Sequence, residues 1–364
     1  MNKRQVLLGA GALALIGAGA SYSEVLRMGS MAEYNASVAA TRRALATNPE
    51  VRDFIRYATL APNGHNTQPW RFEVSDSQIL ILPDFARRTP VVDPDDHHIF
   101  VSLGAAAENL ALACAARGRA GEISFNSAGD GAAMFTFGGG PAPEVALFDA
   151  IVHRQSTRAE YNGRAVAVAD LQVLVKASET PGVDLVLITD RPRMDSVRDL
   201  VVTGNSAQLA DRAFVHELKS WVRFNPRQAM TSGDGLFAAA SGNPALPDWL
   251  GPSLFAIVLE PDADNDKYAR QIRSSAGLAV FVSAHDDKEH WVRAGRACQR
   301  FALQATALGM KLAFINQPVE VARLRPELAA LVGMPGRRPD IVMRFGYGPN
   351  LPFSARRSVE AVLA

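Results

Sequence analysis

This sequence of 364 residues has almost no net charge and few cysteines, and it lacks a recognisable catalytic set. Lys plus Arg number 38 against 37 for Asp plus Glu, so no broad field exists to gather nucleic acid or an anionic membrane. The two cysteines, Cys114 and Cys298, lie in stretches with a helical pattern. This favours buried thiols, with a disulfide as the alternative. Without a Ser/His/Asp or Cys/His set, no side chain is predicted to be catalytic. These absences favour a small-molecule ligand, bound at a local site.

The N-terminus combines a basic start with a modest apolar run. Residues 1–20 are typical of an export signal or an N-terminal anchor, and Lys3-Arg4 resembles a weakened twin-arginine signal. A periplasmic or membrane-anchored protein is therefore expected, with a cytoplasmic one as the alternative. Gly9-Ala10-Gly11 also imitates the turn of a dinucleotide site, but no amphipathic helix follows it.

Two stretches of the sequence repeat one pattern. "GAAAENLALACAARG" at 104–118 and "GRACQRFALQATALG" at 295–309 begin and end on glycine at the same spacing. Small residues recur in both at helical spacing, which lets two helices approach closely along an apolar seam. One fold unit is therefore expected to occur twice, so the chain contains its own partner and a monomer is expected.

Acidic, histidine-bearing clusters precede both predicted helices, at 93–98 and 285–290. Negative charge at a helix N-terminus is favoured by the helix dipole. A metal site is the alternative interpretation, but the spacing fits no common zinc pattern, so no metal is predicted.

Each half carries a different polar motif. The first contains "APNGHNTQPW", whose prolines stiffen a loop rich in amides that can satisfy a neutral heterocycle. The second contains "HRQSTR", in which Arg154 and Arg158 flank Ser156. Guanidinium groups on either side of a hydroxyl are well suited to bind a phosphate. A further basic pair, Arg356 and Arg357, follows the last predicted strand.

Together these motifs resemble the FMN-dependent nitroreductases, specifically the internally duplicated, Acg-like branch of FMN-binding oxidoreductases. The resemblance runs from about residue 40 onward and also uses "FINQPVEV" and "RFGYGPNLPFSARRSVE". It implies an α+β fold, a nitroreductase-like α/β/α sandwich with a mixed sheet and two pseudo-symmetric halves. We expect the halves at 30–145 and 146–364, with a lid insertion at about 225–264. In that family FMN lies at the interface of two subunits.

The resemblance assigns the cofactor-binding residues to both halves. Arg154, Ser156 and Arg356 would hold the FMN phosphate, and Arg158 would lie near the pyrimidine edge of the ring. Asn316 and Gln317 would cover the central ring. The first half would line the ring and the ribityl chain through the following residues: Pro62, Asn63, Gly64, Asn66 and Gln68.

The two halves depart from the family pattern in complementary ways. The first keeps Arg42 and Arg43 at the place of the Arg-x-Ser-x-Arg motif but loses the serine spacing. The second has no amide loop. One FMN per chain is therefore expected.

The resemblance implies hydride transfer from NADH or NADPH through FMN to a nitroaromatic or quinone-like acceptor. The insertion would be a lid with Phe237, Trp249 or Phe255 beside the flavin, or a plain surface insertion. A closed lid would instead make a flavin-sequestering protein with little turnover. A structural duplicate without flavin is the third alternative.

Overall fold

The computed structural model describes residues 27–258 and 260–364. The predicted export segment, residues 1–20, therefore lies outside the described residues. The first helix with both ends described begins at a capping box, in which Ser30 and Glu33 satisfy each other's backbone amides. This arrangement fixes the start of that helix.

The first half contains four helices and four strands. The helices are α1 (Met31–Thr41), α2 (Val51–Ala58), α3 (His97–Ala115) and α4 (Val145–Ala150). The strands are β1 (Trp70–Val74), β2 (Gln78–Pro83), β3 (Gly121–Asn126) and β4 (Ala132–Phe137). They form an antiparallel sheet in the order β1-β2-β4-β3.

The second half begins with α5 (Val168–Ser178) and β5 (Val183–Ile188). A long connection then holds α6 (Arg191–Ala210), α7 (Arg212–Ser220), β6 (Val222–Arg223), α8 (Pro226–Ser232), β7 (Leu236–Phe237), α9 (Gly251–Val258) and α10 (Pro261–Arg273). The remaining elements are β8 (Gly277–Ser283), α11 (Lys288–Ala307), β9 (Lys311–Phe314), α12 (Gln317–Glu320), α13 (Arg325–Leu331) and β10 (Pro339–Gly346).

The second sheet repeats the connectivity of the first. Its order is β5-β8-β10-β9, also antiparallel, so each strand has a counterpart at the same place in the first sheet. The one large difference is the connection between the first two strands of each sheet. Residues 75–77 join β1 to β2, whereas residues 189–276 join β5 to β8. The insertion is thus longer than the 225–264 expected from the sequence.

Helices α3 and α11 pack against each other at the centre through reciprocal glycine contacts. A Cβ on Gly104 would lie 1.9 Å from the carbonyl oxygen of Val292, and one on Gly295 would lie 1.9 Å from that of Val101. When the repeated stretches are aligned so that Gly104 matches Gly295, Val101 matches Val292, so each contact is the counterpart of the other. The halves are therefore related by an approximate twofold axis through this helix pair.

Two side-chain pairs between α3 and α11 are also counterparts under this alignment. Glu108 accepts from Arg300, and Asn109 accepts from Gln299. Among the described residues α3 is the one helix long and apolar enough to cross a membrane, and 83% of its most apolar window is buried. That burial is what the central helix of a packed core requires.

Segments at both ends of the second half pack against the first half. Leu147, Ala150 and Ile151 belong to the hydrophobic core of the first half, so that core extends past the expected boundary at residue 145. The C-terminus also returns to the first sheet: the amide of Phe72 donates to Val362 and that of Ala364 donates to Phe72. This pairing with β1 is parallel, so the sheet is mixed, as expected.

Candidate functional site

A cavity lies between the two halves and beneath the insertion. Its wall is built from the amide loop, the central helices, the junction between β9 and α12, and the insertion. The lining residues include Pro62, Asn63, Gly64, His65, His98, Ala105, Arg158, Asn205, Gln208, Phe214, Leu218, Leu236, Tyr268, Cys298, Asn316, Gln317 and Glu320. Both halves and the insertion are thus needed to enclose it.

The amide loop enters the cavity through an unusual backbone conformation. His65, Asn66 and Gln68 all have positive φ, at 46°, 55° and 53°. Such angles are disfavoured for residues with a Cβ and occur mostly where the surrounding structure enforces them. The side chain of Asn63 helps to enforce them, because its Oδ1 accepts from the amide of Gln68 at 2.8 Å.

The side chains of Asn66 and Gln68 do not line the cavity. Asn66 donates to the carbonyl oxygens of Gly235 and Ala355 and accepts from Arg356. Gln68 donates to the carbonyl of Gly233 and accepts from the amide of Arg357. Because these groups are already satisfied by protein, the two residues tie the insertion and the C-terminal segment to the loop. The expected contact with the ribityl chain is replaced by this positioning role.

Three guanidinium groups meet behind the loop. Arg154 and Arg356 both donate to the carbonyl oxygen of Leu60, at 3.0 and 3.3 Å. Arg42 donates to the carbonyl oxygens of Val152 and Arg154. Arg154 also lies near Cys298, which lines the cavity. We call Arg42, Arg154 and Arg356 the arginine cluster.

The arginine cluster carries positive charge without a compensating carboxylate. In the described part of the chain none of its members forms an ion pair, and Nε and Nη1 of Arg154 and Nε of Arg42 are buried without hydrogen-bond partners. Burial, with the neighbouring guanidinium of Arg154, lowers the pKa of Arg356 to about 9. Burial lowers the pKa of Arg154 to about 10. Buried charge without a partner is costly, and a neighbouring anion would offset that cost.

Arg158 projects into the cavity itself, and its side chain faces Tyr268. Burial lowers the pKa of its guanidinium, which the neighbouring Tyr268 and Tyr161 partly offset. Opposite it, Asn316 lines the wall while its Oδ1 accepts from the amide of Val342 at 2.9 Å. Gln317 keeps a buried Oε1 with no partner. A polar heterocycle could therefore find both a cation and an amide here.

The predicted site residues therefore fall into three groups. Pro62, Asn63, Gly64, Arg158, Asn316 and Gln317 line the cavity. Arg154 and Arg356 lie in the arginine cluster. The third group, Ser156, Asn66 and Gln68, is not part of the lining. The backbone of Ser156 bridges to Leu312 of β9, which anchors the segment between Arg154 and Arg158 to the second sheet.

The aromatic residues expected beside the ring are placed elsewhere. Phe237 is buried against Tyr34, with ring centroids 4.5 Å apart, and Phe255 packs on Phe224. Trp249 is 59% exposed. The insertion instead faces the cavity through Phe214, Leu218 and Leu236, while Phe237 packs on α1 and Phe255 packs within the insertion.

A chain of histidines and carboxylates leads from the cavity wall into the core. Nε2 of His98 lies 3.6 Å from Glu320, and its Nδ1 lies 3.2 Å from Nδ1 of His97. Nε2 of His97 lies 2.9 Å from Asp340. Asp93 accepts from the amide of His98, as the acidic helix entry predicts.

Asp93, His97 and His98 present donor atoms within 4.8 Å of one another. Metal ligation therefore has the right residue types, but Asp93 caps α3 and His97 is bonded to Asp340. At the second entry Asp287 likewise accepts from the amide of His290. Hydrogen bonding thus accounts for both clusters.

Several cavity residues had no distinctive sequence signal. Gln208 and Tyr268 lie in the insertion, and Glu320 follows the "FINQP" stretch without belonging to any catalytic spacing. Arg42 was visible as a remnant of a basic motif but carried no assigned role. Only the fold brings Gln208, Tyr268 and Glu320 together around the cavity, because none of them is close to another in the sequence.

Comparison with known proteins gives relatives over nearly the whole chain. No protein-family model matches it. A "Putative NAD(P)H nitroreductase" of Mycobacterium tuberculosis is 26% identical over 328 residues, covering 86% of this chain and 90% of that protein. The "Putative NAD(P)H nitroreductase acg" of the same organism is 23% identical over 331 residues, covering 87% and 96%.

Solved structures with detectable similarity are shorter than this chain. An FMN-bound nitroreductase from Desulfitobacterium hafniense is 14% identical with a TM-score of 0.36, covering 58% of this chain and 93% of its own. The FMN-dependent nitroreductase NfnB from Mycobacterium smegmatis, in complex with NADPH, is 14% identical with a TM-score of 0.38, covering 60% and 92%.

Proposed function

Because the chain belongs to the nitroreductase superfamily, in the branch that includes the Acg proteins, we propose that it is an FMN-dependent oxidoreductase. In this proposal NADH or NADPH is the electron donor and a nitroaromatic or quinone-like molecule is the acceptor. One FMN binds per chain, in the cavity between the halves.

The arginine cluster is the observation that carries the proposal. Within the described residues, Arg42, Arg154 and Arg356 have no carboxylate partner, and a phosphate monoester would supply the missing negative charge. It would also offer hydrogen-bond acceptors to the unpartnered nitrogens of Arg154. Charge-assisted hydrogen bonds of this kind are the strong ones in proteins. The residues present therefore fit the phosphate end of FMN, next to a cavity that can take a planar ring.

When bound, FMN supplies the hydride-transfer chemistry itself. The protein binds, orients and shields it. Arg158 places a positive charge in the cavity, where it would stabilise negative charge on a reduced ring. Asn316 and Gln317 offer amide groups, and Phe214, Leu218 and Leu236 exclude water from above.

The central helices support one site per chain. Ala105 of α3 lines the cavity, and its counterpart in α11 under the alignment of Gly104 with Gly295 is Arg296. That larger side chain forms an ion pair with Glu108 at 3.0 Å, while Arg300 bridges Glu108 and Glu144. A separate pocket at this position is thus bordered by the charged side chains of Glu108, Glu144, Arg296 and Arg300, whereas the cavity beside Ala105 is lined by the amide loop and the insertion.

A flavin-sequestering protein is the second candidate. It is favoured by the way the insertion is fastened over the cavity, through the hydrogen bonds of Asn66 and Gln68 and the ion pair of Asp234 with Arg87. A lid held this firmly would retain a flavin while slowing the entry of other molecules.

Absorbance and turnover separate the alternatives. Purified full-length protein should be yellow, and it should oxidise NADH or NADPH in the presence of a nitroaromatic or quinone much faster than an equal amount of free FMN. Flavin absorbance with a rate equal to that of free FMN would favour sequestration. A colourless protein that binds no added FMN would exclude both.

The cellular location stays a proposal from the sequence. Residues 1–20 would direct export or anchor the chain, and the mass of the mature N-terminus is the test. An intact Met1 on a chain recovered from the cytosol would contradict export.

A further inference from the structure

The cavity wall contains an acid–base pair for which hydride transfer alone has no use. His98 and Glu320 both line the cavity. Gln208 fixes Glu320 by donating to its Oε2 at 2.6 Å. Nε2 of His98 lies 3.6 Å from Oε1 of Glu320, which is beyond an ordinary hydrogen bond. Because His98 and Glu320 both line the cavity, an oxygen atom of a bound molecule can approach this pair of side chains.

The residues behind His98 determine which imidazole carries the extra proton. His97 is fully buried, and its Nε2 lies 2.9 Å from Asp340. With Asp340 ionised, that nitrogen donates, so a neutral His97 has a bare Nδ1. Nδ1 of His97 must then accept from Nδ1 of His98 at 3.2 Å. The network thus orients His98 so that a protonated ring presents its second N–H, at Nε2, towards Glu320.

The surrounding charges favour this protonation state. Burial lowers the pKa of His98, but Asp93 and Glu320 more than offset it, so the net pKa is raised. Burial holds the pKa of His97 well below its usual value. The other basic groups facing His98 are Arg338 and His65, whose own pKa burial lowers to about 4. Of the two imidazoles, His98 is therefore the one whose protonated form the surroundings favour.

We propose that His98, held by Glu320, donates the proton that accompanies reduction of an acceptor in this cavity. This proposal rests on the proposed function, which supplies the hydride from a nicotinamide dinucleotide through FMN. The acceptor gains that hydride and one proton. The Nε2–H bond of His98 breaks as an O–H bond forms on the acceptor, and neutral His98 then regains a proton from water. A quinone that gains one hydride and one proton becomes a hydroquinone, so atoms and charge balance.

Three variants of the full-length, flavin-loaded protein test this role. His98→Gln should lower kcat/KM for a quinone by about 100-fold, the usual scale for loss of a general acid. Glu320→Gln should retain activity at low pH. Because it removes a charge that raises the pKa of His98, the decline of kcat/KM with rising pH should begin about one pH unit lower. His285→Gln, an exposed imidazole at the other helix entry, is the matched control and should change neither quantity.

Two further measurements separate a chemical role from a structural one. Flavin content should be unchanged in all three variants. The side-chain ¹⁵N resonances of His98 should titrate at lower pH in Glu320→Gln than in the wild type, independently of turnover. If the wild type reduces neither quinones nor nitroaromatics, the proposed function is wrong. If the wild type is active and Glu320→Gln leaves the pH profile in place, only the role of His98 is overturned.

Discussion

Arg42, Arg154 and Arg356 gather three positive charges in one buried cluster. Each guanidinium donates to backbone carbonyl oxygens, which do not neutralise its charge. Folding therefore brings like charges together, and in the proposed function the phosphate of FMN would relieve the repulsion.

Arg42→Gln tests this account at one residue. We expect FMN affinity to fall by about 10-fold to 100-fold, since one charge-assisted hydrogen bond is worth about 1.5–3 kcal/mol. Without FMN, the loss of the buried charge should offset lost hydrogen bonds, so the unfolding free energy should change little. Arg43→Gln is the control, because Arg43 is exposed and pairs with Asp53. FMN titration by fluorescence quenching gives the affinities, and equal losses in both variants would remove Arg42 from the phosphate site.

His65 predicts a pH dependence of stability. Burial lowers its pKa to about 4, while the unfolded value is about 6.5. The unfolded state therefore binds the proton first as pH falls. Its contribution to the unfolding free energy is complete above pH ~6.5 and decreases as pH falls towards ~4.

The expected loss between pH 7.5 and pH 5 is about 2 kcal/mol from this residue. Urea denaturation at both pH values measures it. In His65→Asn, which keeps a residue suited to positive φ, the loss should be smaller by that amount. An equal loss in both proteins would mean that His65 is protonated in the folded state.

At the scale of elements, the helix pair α3–α11 depends on two glycines. Gly104→Ala would place a Cβ 1.9 Å from the backbone oxygen of Val292, and backbone cannot move aside as a flexible side chain can. We expect the unfolding free energy to fall by about 3 kcal/mol or more. Ala111→Ser, on a half-buried position of α3, should cost less than about 1 kcal/mol. Denaturant unfolding compares them, and similar losses would mean that the helices are not in close contact.

The amide loop and the insertion form a second pair of coupled elements. Gln68→Ala removes the bonds to Gly233 and Arg357, so the insertion should open more often. Faster hydrogen exchange across residues 226–241 and a several-fold faster release of FMN are expected. Gln78→Ala, in β2, should change neither rate. Unchanged exchange in Gln68→Ala would show that the loop does not hold the lid.

The whole fold was predictable where short-range patterns repeat. The glycine-bounded stretches at 104–118 and 295–309 indicated two close-packed helices, because their spacing records the contact directly. The direction of Asn66 and Gln68 was not predictable. Their partners lie 165 to 290 residues away in the chain, and only the fold decides whether an amide faces a cavity or a neighbouring backbone.

The cofactor site was partly predictable for the same reason. Arg154 and Arg158 belong to one local motif, so their spacing survives as a signal. The acidic and basic groups at Glu320 and His98 come from opposite halves, and no spacing relates them. The export segment lies outside the described residues and stays a prediction.

The molecule as a whole is best tested by its flavin stoichiometry and mass. The central claim is that one chain contains both halves of a nitroreductase dimer and one complete cofactor site. Flavin absorbance combined with light-scattering mass should give one FMN per 39.1 kDa chain in a monomer. A ratio of two FMN per chain, or FMN bound only by a dimer of chains, would contradict it.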